Sequence, residues 1–171
     1  ALLDLRFLNE KSAGESGFLK ADGLQFKLGN GNPVRFWAVN CGGGIVDQSR
    51  AQVDYLAARL AKVGVNMVRV HSAVFEKGGD PAKVNKGYLD NLYYFVMALK
   101  KQGIYTKLSF YFPVWFDIKP NYGIEGYDNA KNKKPFALLY FDARMQEIYK
   151  SWARELLTAN NPYTNLSFAK D

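Results

Sequence analysis

The sequence has few of the residues that build disulfide, redox or metal sites. It contains one cysteine, Cys41, and one histidine, His71, among 171 residues. A single cysteine excludes an internal disulfide and a metal site made of several cysteines. No apolar run approaches the ~20 residues that cross a bilayer, and the first residues lack the basic and then apolar order of a signal peptide. We therefore expect no membrane partner, and we expect that any export signal has been removed. No metal or organic cofactor is implied.

Acidic residues are fewer than basic ones, and the basic residues are scattered. Lysine and arginine total 23 against 16 acidic residues, which gives a formal charge of +7. The densest basic groups, Lys100-Lys101 and the lysines at 131, 133 and 134, lack zinc-finger spacing or an aromatic ribonucleoprotein motif beside them. We expect this charge to lie on a solvated surface, and we expect no nucleic-acid partner.

The opening section predicts a β-hairpin that leads into a strand. Apolar and polar residues alternate around two turn signals, Asp22-Gly23 and Asn30-Gly31, and Pro33 follows the second. The β-branched and aromatic run 34–40 predicts one strand, which ends at the glycines 42–44. With 48% hydrophobic residues, the chain is rich enough in apolar side chains to form a core.

Helices and strands then alternate. Ser49 with Gln52 has the spacing of a capping box, Gly64 and Gly103 are expected to end the first two helices, and Asp142 is expected to cap a third that ends at Asn161-Pro162. The predicted buried stripes are Val53, Leu56, Leu60 and Val63, then Leu89, Leu92, Phe95, Val96 and Leu99, and finally Met145, Ile148, Trp152 and Leu156. Strand-helix repeats with short returns predict an α/β fold with a parallel sheet, either doubly wound or a barrel.

The glycine run after the first long strand could belong to a nucleotide site. Gly42 and Gly44 match the first two glycines of G-x-G-x-x-G, but the third place holds Asp47, a carboxylate where pyrophosphate would bind. We therefore favour a tight turn that needs glycine for its backbone angles. A small nucleotide-binding α/β protein stays as a less favoured alternative.

The stretch NMVRVHS predicts a strand with two different faces. Val68 and Val70 share one face, and Arg69 and His71 share the other. Both polar residues lie at the carboxyl end, where ligands bind in either α/β architecture. Because an unpaired buried guanidinium is costly, we expect a carboxylate partner for Arg69; a buried salt bridge and a hydrogen-bonded core histidine are the purely structural interpretations.

The long segment after the third strand mixes aromatic and polar residues. Aromatic planes beside polar groups suit a sugar, whose ring stacks while its hydroxyls form hydrogen bonds. Each ring could instead serve only to pack the loop. The aromatic residues are Trp115, Phe116, Tyr122, Tyr127 and Phe136, and the nearby carboxylates are Asp117, Glu125 and Asp128. These carboxylates lack a strand-end position, so no catalytic pair can be assembled from them.

Four stretches of the sequence together resemble the amino-terminal part of a clan A, family 5-like glycoside hydrolase catalytic domain of the cellulase and mannanase type. They are GFLKADGLQFKLGNGNPVRFWAVN, LAKVGVNMVRVHS, KKQGIYTKLSFYF and LLTANNPYTNLSFAKD. The resemblance implies that residues 1–33 form a hairpin and bottom cap, and that residues 34–171 form the first three βα units of a (β/α)8 TIM barrel, incomplete in this chain.

The resemblance also implies a function and a site. It implies a fragment of a retaining, secreted or periplasmic hydrolase of a β-linked oligo- or polysaccharide, with a non-catalytic carbohydrate-binding barrel as the alternative. Arg69 matches the arginine that supports the nucleophile, and His71, Asn40, Tyr111 and Trp115 are the expected sugar contacts. The two catalytic glutamates would lie beyond this chain, and the remainder of the barrel could be on another chain. The third strand departs from the family because it reads Ser109-Phe110-Tyr111 where a more strongly polar residue is common.

Overall fold

The computed structural model describes residues 3–76, 80–109, 117–127 and 134–171. The chain divides into two compact units. The first unit comprises Ala1–His71, Asn91–Ser109 and Asp171, and the second comprises Ser72–Asp90 and Phe110–Lys170. Among the described residues, none of the helices has the length and hydrophobicity that crossing a membrane requires.

The helices and strands follow the predicted alternation after a short antiparallel sheet. The strands are β1 (Lys20–Asp22), β2 (Gln25–Lys27), β3 (Pro33–Val34), β4 (Ala38–Gly42), β5 (Met67–His71), β6 (Tyr105–Ser109), β7 (Asn160–Asn161) and β8 (Leu166–Ser167). The α-helices are α1 (Gly43–Val46), α2 (Arg50–Lys62), α3 (Lys86–Lys100) and α4 (Ala143–Thr158). Strands β4, β5 and β6 form a parallel sheet in that order, so the predicted α/β fold with a parallel sheet is confirmed.

The antiparallel sheet has the order β1-β2-β3, and its turns lie at the two predicted signals. Gly23 and Gly31 have φ of +58° and +90°, which glycine adopts without steric cost. The prediction of a single strand over residues 34–40 is wrong, because 35–37 pair with no strand in the described part of the chain and separate β3 from β4. The Asn66 side chain takes the place of a strand partner there, since its amide donates to the Arg35 carbonyl and its oxygen accepts from the Trp37 N–H.

The two faces of β5 differ as its sequence predicts. Val68 and Val70 are buried, whereas Arg69 and His71 are partly exposed on the opposite face. In the parallel register, Asn40 and Lys107 lie beside Arg69, and Gly42 and Ser109 lie beside His71. Residues that are level in adjacent strands point to the same side of the sheet. One face of the sheet therefore packs in the core and the other carries polar groups.

Helix α2 begins at the predicted capping box. The Ser49 hydroxyl accepts from the Gln52 N–H, and the Gln52 side chain accepts from the Ser49 N–H. Its most buried side chains are small, Val53, Ala57 and Ala61, while Val63, predicted as buried, is exposed. The i, i+4 spacing of those three residues turns the buried stripe away from Val63. In α3 the whole predicted stripe is buried.

The amino-terminal segment binds the ends of α2 and α3. The Leu5 N–H donates to the Lys62 carbonyl, and the Ala13 N–H donates to the Lys100 carbonyl, both at 2.9 Å. The last carbonyls of a helix lack partners within the helix. The Leu5 N–H supplies a partner for the Lys62 carbonyl, and the Ala13 N–H adds a second one to the Lys100 carbonyl, which also accepts from the Gly103 N–H. Because β5 and β6 begin just after those helix ends, the segment lies at the amino end of the parallel sheet.

The hydroxyl of Tyr105 joins the same segment to β6. It donates to Glu10 Oε2 at 2.5 Å and accepts from the Gly14 N–H at 3.1 Å. Burial and the hydrogen bond to Glu10 raise the pKa of Tyr105 to about 12. The hydroxyl therefore stays protonated, and able to donate, well above neutral pH.

The second unit has its core along α4. The Asp142 carboxylate caps the helix by accepting from the Met145 N–H, and the predicted stripe of Met145, Ile148, Trp152 and Leu156 is buried. The helix ends at Thr158, before the predicted end at Asn161-Pro162. The difference arises because Asn160–Asn161 pair with Leu166–Ser167 as an antiparallel ribbon.

Gly103 offers a test of the amino-terminal contact. Its φ is +71°, and a Cβ atom there would lie 1.9 Å from the Glu10 carbonyl oxygen. Gly103→Ala therefore adds a backbone clash to the strain of about 1 kcal/mol for a left-handed alanine. We expect the free energy of unfolding, measured by urea denaturation, to fall by roughly 3 kcal/mol or more.

Gly23→Ala is the matched control, since Gly23 also has positive φ but a Cβ atom would meet no atom within 4 Å. Its loss should stay near ~1 kcal/mol. Equal losses in the two variants would show that the amino-terminal segment does not lie against the turn at Gly103.

Candidate functional site

The candidate site lies at the carboxyl end of the parallel sheet. It is formed by Asn40 on β4, Arg69 and His71 on β5, and Ser109 on β6, which share one face of the sheet by register. In parallel α/β folds this end is where ligands bind. The amino end, by contrast, carries the amino-terminal segment.

Arg69 connects the three strands through its guanidinium group. Nη1 donates to Asn40 Oδ1 at 2.7 Å, and Nη2 donates to Ser109 Oγ at 2.9 Å. Nη2 also lies 2.9 Å from Nδ1 of His71. A guanidinium has more N–H donors than these three contacts use, so Arg69 can hold its neighbours and still donate to a further acceptor.

The predicted carboxylate partner of Arg69 is not found among the residues that the structure describes. No ion pair there includes Arg69. The side chain is partly exposed, so its charge keeps contact with solvent and the neutral oxygens of Asn40 and Ser109 serve as acceptors. The purely structural interpretation of Arg69 was a buried salt bridge. Because no ion pair of the described residues includes Arg69, that salt bridge is not found among them either.

His71 is held within this group. Its Nδ1 lies 3.0 Å from Ser109 Oγ as well as 2.9 Å from Arg69 Nη2. Burial, and in addition the positive charge of Arg69, lower the pKa of His71 below its ordinary value of 6.5. The ring is therefore predominantly neutral at neutral pH. In the described part of the sheet, Arg69 and Lys107 are the charged residues on this face.

The glycine run next to the site does not behave as predicted. Gly42 has extended backbone angles, φ −80° and ψ 166°, and neither Gly43 nor Gly44 has positive φ. The prediction of a tight turn that requires glycine at residues 42–44 is therefore wrong. Among the residues that the structure describes, a Cβ atom on Gly42 would meet no atom within 4 Å, so these residues leave open space beside His71 and Ser109.

Two of the predicted sugar contacts, Tyr111 and Trp115, lie outside the described residues, as does Phe116. Of the other predicted aromatic residues, Tyr122 is buried in the second unit and Phe136 is exposed. The interpretation of Tyr122 as a packing residue is therefore the correct one.

Sequence reasoning did not assign Ser109 a role, although its hydroxyl contacts both Arg69 and His71. The signal was its place at the end of β6, because carboxyl ends of neighbouring parallel strands meet at one edge. The contact could not be predicted, because the sequence alone does not determine the register between β5 and β6.

Comparison with solved structures shows which fold this is. The chain aligns with an endo-1,4-β-mannanase from Rhizomucor miehei at a TM-score of 0.67 and 19% sequence identity, over 91% of this chain and 45% of that chain. Two further alignments have lower scores: a glycoside hydrolase (TM-score 0.47, 18% identity, 61% of this chain and 28% of that chain) and a family 5 glycoside hydrolase from Bacteroides vulgatus (0.44, 23%, 67% and 27%).

The predicted resemblance to glycoside hydrolases is thus confirmed at the level of the fold. The chain shares an α/β fold with a parallel sheet with the mannanase, and it spans less than half of the mannanase's length. No protein-family model and no curated protein matches the sequence.

The lowered pKa of His71 gives a testable pH dependence. Since folding lowers this pKa, the unfolded chain binds the proton more readily, and His71 contributes stability that is present above pH 6.5 and is lost as the pH falls through the folded value. An NMR titration should give a pKa below 6.5, with the His71→Gln variant identifying the resonance. In Arg69→Met the pKa should rise only part of the way, because burial remains. A wild-type value at or above 6.5 would contradict the environment described.

Proposed function

We propose that this chain is the amino-terminal portion of a (β/α)8 glycoside hydrolase that acts on a β-linked oligo- or polysaccharide. The observation that carries the proposal is the polar group of Arg69, Asn40, His71 and Ser109 at the carboxyl end of three parallel strands. The likeness to the mannanase over 91% of the chain supports the barrel, although a fold alone does not define a reaction.

In this proposal β4, β5 and β6 are the first three strands of the barrel, and their polar face lines its interior. That assignment accounts for a sheet face that carries an arginine, a lysine and a histidine toward its carboxyl end. It also accounts for the amino-terminal segment, which would close the end of the barrel opposite the site. The remaining strands would come from parts of the protein beyond these 171 residues.

The hydrogen-bonding groups suit a saccharide. Hydroxyl groups both donate and accept, so they are recognised by amides, guanidinium groups and imidazoles placed at fixed distances. Asn40 and His71 supply two such groups, and Gly42 leaves space beside them. Tyr111 and Trp115 are proposed as further contacts.

The proposed mechanism is retaining hydrolysis. Two carboxylates about 5 Å apart would act as nucleophile and as acid/base, and both would lie on later strands. Arg69 has N–H donors that its three contacts do not use. These donors would orient the nucleophile and would keep it ionised by lowering its pKa. Asn40 and Ser109 would hold the guanidinium in place from both neighbouring strands.

The first test is an assay of the full-length protein on β-1,4-mannan and on β-linked glucans. We expect release of reducing ends from at least one of them. Binding without hydrolysis would favour the non-catalytic carbohydrate-binding barrel, and neither binding nor hydrolysis would overturn the proposal.

The second test concerns Arg69 in the same protein. Arg69→Lys keeps the charge but cannot reach Asn40 and Ser109 together with a planar group. We expect kcat to fall roughly 100-fold, with a much smaller change in KM, because the lost contacts act on the reacting groups. Arg59→Met removes an exposed arginine whose partner is Tyr55, on the surface of α2, and should leave both constants unchanged. Equal effects of the two variants would show that Arg69 has no special role.

Gly42 provides a test of substrate access. Gly42→Leu places a side chain on the face that carries His71 and Ser109, where the sheet is now open. The angles at Gly42 suit any residue, so we expect folding to persist while substrate affinity falls roughly 10-fold, or about 1.4 kcal/mol.

Gly44→Leu is the control, since Gly44 also has open space around it but lies in the short helix α1. Affinity can be measured by calorimetry and stability by thermal unfolding. The access role is disproved if both leucine variants bind substrate equally well.

A further inference from the structure

Lys107 is the second positive charge on the polar face of the parallel sheet. It lies on β6, level with Arg69 on β5, and level residues of adjacent strands point to the same side of the sheet. Neighbouring strands lie about 4.8 Å apart, so the two cations lie side by side. On the described strands β4, β5 and β6, no residue of this face carries a negative charge.

Arg69 and Lys107 differ in what they bind. The guanidinium of Arg69 donates to Asn40 on one neighbouring strand and to Ser109 on the other. The ammonium group of Lys107, in contrast, has neither an ion pair nor a hydrogen bond in the part of the chain that the structure describes, and the residue is exposed. Its charge is therefore available to a group outside these residues.

The other titratable groups around this face do not balance Lys107. His71 is neutral at neutral pH, because burial and the neighbouring guanidinium lower its pKa. At the amino end of β6, Glu10 accepts from the Tyr105 hydroxyl, and Glu15 accepts from a backbone N–H of its own segment. Neither carboxylate forms an ion pair with a described residue. A net positive charge therefore remains on the face.

We propose that Lys107 is a positioning residue that keeps the catalytic nucleophile ionised through its charge. The inference rests on the proposed function. Before a retaining hydrolase reacts, one of its two carboxylates is ionised and the other carries a proton. Arg69 alone would balance the ionised one, so Lys107 makes the site more positive than a neutral balance requires. A nearby positive charge favours the ionised form of a carboxylate, and Lys107 thereby extends activity to lower pH.

A lysine suits this role because its ammonium group is a compact charge on a flexible stem, whereas a guanidinium binds through a planar set of donors. Burying an unpaired ammonium group is costly. In a closed barrel, the face that carries Lys107 would keep such a group only where a negative charge lies near it. Since the role needs the charge and no fixed contact, arginine should replace Lys107, although lysine should not replace Arg69.

The test is the pH dependence of kcat/KM in the full-length protein, on the β-linked saccharide that it hydrolyses. The acidic limb of this profile reports the pKa of the nucleophile in the free enzyme. In Lys107→Met the lost charge should raise that pKa and move the limb up by roughly 0.5 to 1 pH unit. Lys107→Arg keeps the charge and should keep the wild-type limb.

Lys101→Met is the matched control, since it removes the same charge from an exposed residue just after α3. Solvent and salt screen such a charge, so the acidic limb should not move. Thermal unfolding establishes that each variant is folded, and Lys107→Gln serves as the neutral variant if the methionine variant does not fold.

The inference and the proposed function fail in different ways. An active wild type with an unmoved acidic limb in the folded neutral variant would overturn the role of Lys107 and leave the proposed function intact. Equal movement in Lys107→Met and Lys107→Arg would also overturn it, because a contact rather than the charge would then be responsible. A wild type that hydrolyses no β-linked saccharide would overturn the proposed function, and this inference with it.

Discussion

The candidate site depends on the fact that a guanidinium group donates hydrogen bonds and cannot accept them. Arg69 lies on the central strand of the parallel sheet, and its partners lie on both neighbours, Asn40 on β4 and Ser109 on β6. The contacts therefore require the register in which Asn40 is level with Arg69 and Ser109 is level with His71. A shift of one residue in either strand would turn those side chains to the buried face.

The amino and carboxyl ends of the parallel sheet make different kinds of contact. At the amino end, the N–H groups of Leu5 and Ala13 donate to the last carbonyls of α2 and α3. Gly103 lets the Glu10 carbonyl lie closer to the backbone than a side chain would allow. At the carboxyl end, polar side chains contact one another and Gly42 leaves space. The backbone contacts of the amino-terminal segment are thus made away from the end that carries the polar group.

Much of the fold could be predicted because local signals act over short distances. The capping box at Ser49, the left-handed glycines after α2 and α3, and the alternation in NMVRVHS each correspond to an observed feature. The prediction of one continuous strand failed because the Asn66 side chain, distant in sequence, binds the backbone of 35–37. The predicted buried face of α2 failed because the helix buries the small residues Ala57 and Ala61. The positions of Arg69 and His71 were predictable from alternation, but the contact with Ser109 depends on a register between strands 38 residues apart. The open space that the described residues leave beside Gly42 could not be predicted from the sequence, because open space leaves no pattern.

The side chain of Asn9 has a consequence for the order in which the protein can fold during synthesis. Its amide donates to the Val65 carbonyl and to the Gln102 carbonyl, which lie 56 and 93 residues later in the chain. A ribosome makes Asn9 long before either acceptor, so neither hydrogen bond can form until the residues that follow α2 and α3 have been translated. Contacts between such distant positions form late and slow the search for the native topology. The segment that contains Asn9 is thus translated before α2 and α3 but reaches its final place after them.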